Sequence, residues 1–284
     1  MARNPLSRAA LVVGTNYSGA NKLNGCVNDA NDMAGLLRFQ FGVKPENLKL
    51  LLDKQATRAN IVRAIIDASR LGPDYFHVIF SGHGTWVGDT SGDEGDWRDE
   101  AFVPHDYANA GYLVDDELAL LWRLFPKNTR IFCHFDTCHS GTLARSFTSN
   151  GWSAFRTWWR GEKARYISPL DMPAEKRLEL FNRTLNELRA TRAMPATQQP
   201  LQCEVLSISG CTDAQTSADA RIDGRYCGAM TNAFLQAVRK SPGGTYRAIH
   251  AEMLRILKAG KFSQTPVLTV VDEKNSILDE RLYY

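Results

Sequence analysis

The sequence has no apolar run near the roughly 18 residues needed to cross a lipid bilayer. Only six cysteines are spread over 284 residues, which excludes a disulfide scaffold, and the scattered glycines and prolines exclude a collagen-like repeat. The apolar run at residues 9–14 is too short for a signal-peptide core. We therefore expect a cytoplasmic protein with reduced thiols and no membrane partner.

Charge of one sign is not in large excess. The net charge is +3, so composition favours neither a nucleic-acid nor a membrane partner. The hydrophobic fraction of 44% and charged fraction of 23% are those of a folded globular chain and exclude general disorder. The charge is unevenly placed, however. Residues 88–117 are acidic and residues 145–200 are basic, although charge runs of this kind are most often solvated faces.

Short apolar runs alternate with segments of helical periodicity, which predicts βαβ units and a mostly parallel sheet flanked by helices. The predicted strands are 10–13, 48–52, 76–80, 131–135, 204–209 and 267–271. The predicted helices are 30–41, 59–71, 115–125, 175–192, 229–239 and 247–257. The alternation breaks between residues 145 and 202, so we divide the chain into a first α/β region (1–144), a basic, tryptophan-containing insertion or linker (145–202) and a second region (203–284).

Reactive side chains follow two of the predicted strands. His83 stands between two glycines after residues 76–80, and Cys138 follows residues 131–135. In open α/β sheets ligands bind at the carboxyl ends of the strands. A cysteine nucleophile needs a nearby imidazole, and the spacing of the two is close to the ~50 residues that separate His and Cys in caspases. An isolated His–Cys pair is more often structural than catalytic, so the residues around His83 and Cys138 must indicate which role applies.

Four stretches resemble metacaspases, which belong to the caspase clan of cysteine peptidases. They are residues 24–30 (NGCVNDA), 81–84 (SGHG), 136–141 (DTCHSG) and 208–219 (ISGCTDAQTSAD), the last followed by GAMT at 228–231. They occur in the order found in the family, and the insertion lies outside the resemblance. The resemblance implies an α/β caspase-like sandwich, with residues 1–144 as the large-subunit region and 203–284 as the small-subunit region.

The resemblance also implies the roles of individual residues. Cys138 would be the nucleophile and His83 the general base and acid, with no cofactor required for the chemistry. The backbone N–H groups of Gly84 and Cys138 would bind the oxyanion. His139 is the competing candidate for the base, but adjacent residues leaving a strand tend to diverge. His134 and the cysteines at 133, 203, 211 and 227 are interpreted as structural.

In the family, the positions of Cys26, Asp29, Ser81 and Asp136 line the pocket for the residue before the scissile bond. Two carboxylates in that pocket favour Arg or Lys and repel Asp, so we expect cleavage of protein or peptide substrates after Arg or Lys. Asp29 has a second interpretation as a helix N-cap, and the two roles are compatible.

Calcium is a candidate activator. Asp99, Asp115 and Asp116 match three aspartates that bind calcium in calcium-dependent metacaspases, but the fourth position falls at Arg145, whose positive charge disfavours a hard divalent cation. The sequence leaves both outcomes open.

The insertion predicts regulation as a zymogen, because it offers many Arg and Lys sites to an acidic pocket. Its tryptophans, Trp152, Trp158 and Trp159, either cover the active site in the uncut chain or pack as a subdomain. Two alternatives stay open: a caspase-like stress or phage-defence protease activated only by an upstream protease without calcium, and a catalytically silent scaffold. Metacaspases are usually monomeric, so we expect this protein to be a monomer.

Overall fold

A computed structural model describes residues 6–88, 98–137, 163–167, 174–190, 203–210, 218–270 and 275–283. The strands are β1 (Arg8–Gly14), β2 (Leu48–Leu52), β3 (Tyr75–Ser81), β4 (Gly84–Gly88), β5 (Arg98–Phe102), β6 (Leu113–Val114), β7 (Arg130–Asp136), β8 (Lys163–Ala164), β9 (Glu204–Ser209), β10 (Ala218–Ile222), β11 (Arg225–Gly228) and β12 (Val267–Val270). The helices are α1 (Cys26–Phe39), α2 (Arg58–Arg70), α3 (Tyr107–Ala110), α4 (Asp115–Trp122), α5 (Ala174–Ala190), α6 (Ala229–Lys240) and α7 (Tyr246–Ala259).

A six-stranded sheet forms the centre, in the order β12-β9-β7-β3-β1-β2. All neighbouring strands are parallel except β12, which runs antiparallel to β9. The six strands and the six long helices agree with the predicted elements within a few residues. The α/β class with a mostly parallel sheet is therefore confirmed.

Both faces of the sheet are buried, as the apolar strands predict. On β1, Ala9, Leu11 and Val13 point into a core closed by α2, α4 and α5. The alternate residues Ala10 and Val12 point into a second core closed by α1, α6 and α7. Side chains alternate between the faces of a strand, so a strand covered by helices on both sides is apolar throughout.

Helix α5, which lies within the predicted insertion, packs against the first of these cores. Leu188 is fully buried there, and Phe181 and Leu185 are partly buried against the same core. Thr184 donates a hydrogen bond to Glu117 Oε1 at 2.7 Å, and Glu117 forms a buried ion pair with Arg58. A buried ion pair needs such additional partners to offset its desolvation. This part of the insertion is therefore continuous with the main fold.

Two small sheets were not anticipated by the sequence. One has the order β4-β5-β6 and includes two strands of the acidic stretch 88–117, for which the sequence predicted no strand. The other has the order β11-β10-β8 and joins the insertion to the small-subunit region. Within the described part of the chain, no helix is long and apolar enough to span a membrane.

Candidate active site

The carboxyl ends of the central strands meet at one edge of the sheet. Ser81 at the end of β3 pairs in register with Asp136 at the end of β7, and with Gly14 at the end of β1. His83 lies two residues beyond Ser81, just before β4. Cys138 and His139 lie outside the described residues, and Thr137 is the last described residue before them. The predicted base thus lies at the edge of the sheet where β7 ends, and the predicted nucleophile is two residues beyond that end in the sequence.

The imidazole of His83 is fixed by a backbone carbonyl. Its Nε2 lies 2.7 Å from the oxygen of Asn21, and because a carbonyl only accepts, Nε2 must carry the proton. The Nδ1 atom is buried, without a partner among the described residues. Burial lowers the pKa of His83 to about 4, so the ring is neutral at pH 7 and Nδ1 can accept a proton. The sequence did not indicate the role of Asn21, because its backbone carbonyl makes the contact and the identity of the side chain does not reveal this.

The predicted specificity pocket is occupied by an arginine of the chain itself. Arg165 is fully buried, and its Nη2 pairs with Asp29 Oδ2 at 2.7 Å. Its Nη1 donates to Ser81 Oγ at 2.7 Å and lies 3.3 Å from Asp136 Oδ2. Three of the four residues assigned to this pocket therefore surround one guanidinium.

Asp219 supplies a third carboxylate that sequence reasoning missed. Its Oδ1 lies 3.2 Å from Arg165 Nη2, and its two oxygens accept hydrogen bonds from the backbone N–H groups of Asn24 and Gly25, both at 2.9 Å. Asp219 belongs to β10, so the small-subunit region closes the pocket against the start of α1. The signal was available, since Asp219 ends one of the four family-like stretches, but no role was assigned to it.

The electrostatics of the pocket follow from burial and mutual charge. Burial lowers the pKa of Arg165, but Asp136, Asp29 and Asp219 more than offset this effect, and the pKa is raised well above its ordinary value. Burial raises the pKa of Asp29 to about 6, although Arg165 lowers it. A lone carboxylate in such a site would tend to protonate, so the charge of the pocket depends on a bound cation.

Asp29 does not cap a helix, and that interpretation was wrong. The N-cap of α1 is Gly25, and the backbone N–H of Asp29 donates to the carbonyl of Gly25 within the first turn. The Asp29 carboxylate instead accepts from Ser81 Oγ at 2.8 Å and from the backbone N–H of Gly228 at 2.9 Å. Its position in the first turn aims it into the pocket.

Cys26, the fourth predicted pocket residue, is buried beside these groups. Burial raises the pKa of its thiol, and Asp219 and Asp29 raise it further against the opposing effect of Arg165. Because the thiolate is the nucleophilic form, Cys26 is a neutral wall of the pocket.

Asp136 is held in place by hydrogen bonds from Thr231. Thr231 donates to Asp136 Oδ2 through its backbone N–H at 3.0 Å and its hydroxyl at 2.7 Å. His134 Nε2 lies 3.1 Å from the same hydroxyl. The buried His134 is thus placed for a structural role, as expected, and supports the pocket indirectly. Cys133, Cys203 and Cys227 are buried free thiols, and Cys211 lies outside the described residues.

The backbone around Arg165 is also bound to the site. The carbonyl of Arg165 accepts from the N–H of Gly84 at 2.9 Å, the group predicted to bind the oxyanion. Before it, Lys163 and Ala164 form β8, antiparallel to β10. After it, the N–H of Ile167 donates to the carbonyl of Gly84 at 3.2 Å. The segment 163–167 therefore lies across the site, with β8 before Arg165 and the bridge to Gly84 after it.

The calcium hypothesis is not tested by the structure. Among the described residues no group of three or more His, Cys, Asp or Glu side chains is placed to hold a metal ion. Asp115 and Asp116 begin α4, whereas the side chain of Asp99, Arg145 and the tryptophans at 152, 158 and 159 lie outside the described residues.

Comparisons with known proteins identify the family and the fold of this chain. The family described as "Metacaspase, peptidase C14 domain" matches residues 8–146. Metacaspase-1 of Scheffersomyces stipitis is 33% identical over 92% of this chain and 70% of its own length. Metacaspase-1A of Aspergillus terreus is 34% identical, also over 92% of this chain and 70% of its own length. A crystal structure of a protein from Geobacter sulfurreducens has a TM-score of 0.66 at 29% identity, covering 97% of both chains. The chain therefore belongs to the metacaspase family of cysteine peptidases and has its α/β caspase-like fold.

Proposed function

We propose that this cysteine peptidase cleaves peptide bonds after arginine, and after lysine at a lower rate. One observation carries the proposal: the buried guanidinium of Arg165 contacts Asp29, Asp136 and Asp219 at the carboxyl edge of the sheet. A planar guanidinium can contact several carboxylates at once, whereas a lysine ammonium acts as a point charge. An aspartate in the same place would add a fourth negative charge to a desolvated site, at a cost of several kcal/mol.

The proposed chemistry uses two side chains. Cys138 attacks the scissile carbonyl as a thiolate, after His83 Nδ1 takes its proton. His83 then returns this proton to the leaving amine. The Asn21 carbonyl keeps Nε2 protonated and so leaves Nδ1 available for both transfers. The N–H groups of Gly84 and Cys138 stabilise the oxyanion.

Loss of either side chain is expected to remove turnover of a fluorogenic peptide ending in arginine. We expect Cys138→Ala and His83→Ala to lower kcat/KM at least ~1,000-fold, since nucleophile and base act as a unit. His250→Ala is the matched control, because His250 binds the carbonyl of Pro266 beside the outermost strand β12, which is separated from β7 by β9. Full activity in Cys138→Ala would contradict the proposal, as would a wild-type chain that stays silent after incubation and after limited trypsin treatment.

Regulation is a second part of the proposal. The buried Arg165 supports a zymogen, since a substrate side chain cannot enter a pocket that is already filled. We propose that the protein acts as a cytoplasmic monomer, with calcium or an activating protease as the candidate triggers. A calcium titration of peptide turnover tests the role of Asp99, Asp115 and Asp116 against that of Arg145.

A further inference from the structure

A tyrosine hydroxyl is inserted into the backbone ladder beside His83. Strands β4 and β5 pair antiparallel up to Gly84 and Phe102, so His83 and Val103 are the next opposed pair. Opposed residues in such a ladder can exchange two N–H···O bonds. One is present, from the N–H of Val103 to the carbonyl of His83 at 3.2 Å. In place of the other, the N–H of His83 donates to Tyr17 Oη at 3.0 Å, and Tyr17 Oη donates to the carbonyl of Val103 at 2.5 Å.

The ring of the same tyrosine supports the imidazole. The centroids of the Tyr17 and His83 rings are 4.7 Å apart, with 37° between their planes. Asn21, whose carbonyl holds Nε2 of His83, lies in the same segment between β1 and α1. This one segment therefore fixes the backbone N–H of His83, one face of its ring and its Nε2 atom.

Two local features keep the hydroxyl in this place. A Cβ added at Gly82 would lie 2.8 Å from Tyr17 Oη, so the glycine before His83 leaves the space that the hydroxyl occupies. Tyr17 has φ 55°, a left-handed conformation that is uncommon for a bulky residue and is found most often at functional sites. Burial raises the pKa of Tyr17 well above its ordinary value, so the hydroxyl stays protonated and remains a donor.

We propose that Tyr17 is a positioning residue for the general base: its hydroxyl holds the backbone of His83 apart from Val103 and so keeps Nδ1 directed at the thiol of Cys138. This inference rests on the proposed function. Without the hydroxyl, the N–H of His83 and the carbonyl of Val103 can bond to each other as in a regular ladder, which moves the imidazole. A base must lie within hydrogen-bond reach of the proton it takes, and a misplacement of about 1 Å can lower a rate ~100-fold.

The test compares Tyr17→Phe with wild type in turnover of the arginine peptide, each after the same limited trypsin treatment. Phenylalanine keeps the ring and removes only the hydroxyl. We expect kcat to fall about 30-fold and KM to stay within about twofold, because the hydroxyl acts on bond breaking and makes no contact with substrate. Tyr246→Phe is the matched control, since Tyr246 is a buried tyrosine in the core closed by α1, α6 and α7, and it should leave both constants unchanged.

A second comparison separates positioning from a purely structural role. In the His83→Ala background, Tyr17→Phe should change the residual rate by less than about twofold, since a residue that acts through the base has nothing left to position. A loss by the same factor in both backgrounds would mean that Tyr17 acts independently of His83, and the inference would be wrong. If Tyr17→Phe does not fold, Gly82→Ala decides. Its Cβ should displace the hydroxyl and lower kcat about tenfold, and an unchanged kcat would contradict the proposal.

The outcomes also separate this inference from the proposed function. If wild type hydrolyses the arginine peptide and Tyr17→Phe does so with the same kcat, or with a raised KM alone, only the positioning role fails. If wild type itself hydrolyses no arginine peptide after trypsin treatment, the proposed function fails and this inference fails with it.

Discussion

Replacing Gly228 with alanine is expected to lower kcat/KM for an arginine peptide about 100-fold, because the new Cβ would lie inside the pocket. It would overlap Asp136 Oδ2 and stand 2.6 Å from Nη1 of Arg165. Asp136 cannot easily retreat, since Thr231 holds the same oxygen through two hydrogen bonds. Overpacking of a tight site costs about 1–3 kcal/mol, and each 1.36 kcal/mol corresponds to a factor of ten in rate.

Gly35→Ala is the matched control for this substitution. Gly35 lies on α1, where an added Cβ meets nothing within 4 Å, and alanine is the better helix former. We expect Gly35→Ala to retain full activity and to unfold at the same or higher temperature. Turnover of the arginine peptide should fall in Gly228→Ala. If Gly228→Ala turned over the peptide within threefold of wild type, the pocket would not lie where we place it.

Asp219→Asn is expected to lower kcat/KM for an arginine peptide about 10- to 100-fold, chiefly by raising KM. The substitution keeps the shape of the side chain and one of the two oxygens that accept from Asn24 and Gly25, and it removes one of three charges facing the guanidinium. The loss should be smaller than for a fully unpaired buried ion, because Asp29 and Asp136 still contact the cation. An effect on KM rather than kcat marks a group that binds the side chain and takes no part in bond breaking.

Asp223→Asn is the control in the same hairpin. Asp223 is exposed in the turn between β10 and β11 at φ 50°, a conformation that asparagine also adopts readily. It should leave KM unchanged. If Asp219→Asn weakened an arginine peptide and its neutral citrulline analogue equally, the role of Asp219 would be structural, through the turn before α1, and the third-carboxylate assignment would be wrong.

The sequence could predict the side of the pocket that the parallel sheet builds. Ser81 and Asp136 end two apolar strands, and the register of a parallel pair brings such ends together. Asp29 lies in the first turn of a helix that follows β1, so its position at the same edge could also be predicted. These positions depend on local periodicity and on one simple rule of sheet topology.

The opposite side of the pocket could not be predicted in this way. Arg165 and Asp219 arrive through β8 and β10, a short antiparallel pairing between the insertion and the small-subunit region. Two-residue strands have almost no periodic signal, and such pairing depends on contacts far apart in sequence. The role of the Asn21 carbonyl could not be predicted for a different reason. Every residue has a backbone carbonyl, so the sequence does not distinguish this one. Arg165 was only one of ten basic residues between 145 and 200.

One predicted role of the insertion was to cover the active site, and the structure specifies which of its described residues lie there. We expected tryptophans at 152, 158 and 159 to cover the site or to pack as a subdomain, and these residues lie outside the described part of the chain. In the described part, the five-residue segment 163–167 occupies the site and α5 packs on the core through Leu188. The boundaries at 144 and 202 stay predictions.

The central claim is that the pocket selects the charge of arginine, and a set of three matched peptides tests it most directly. They differ only in the residue before the scissile bond, which is arginine, its neutral isostere citrulline or aspartate. Active enzyme should hydrolyse the arginine peptide at least ~100-fold faster than the citrulline peptide, and should leave the aspartate peptide uncut. Equal turnover of the arginine and citrulline peptides, or any preference for aspartate, would contradict the account.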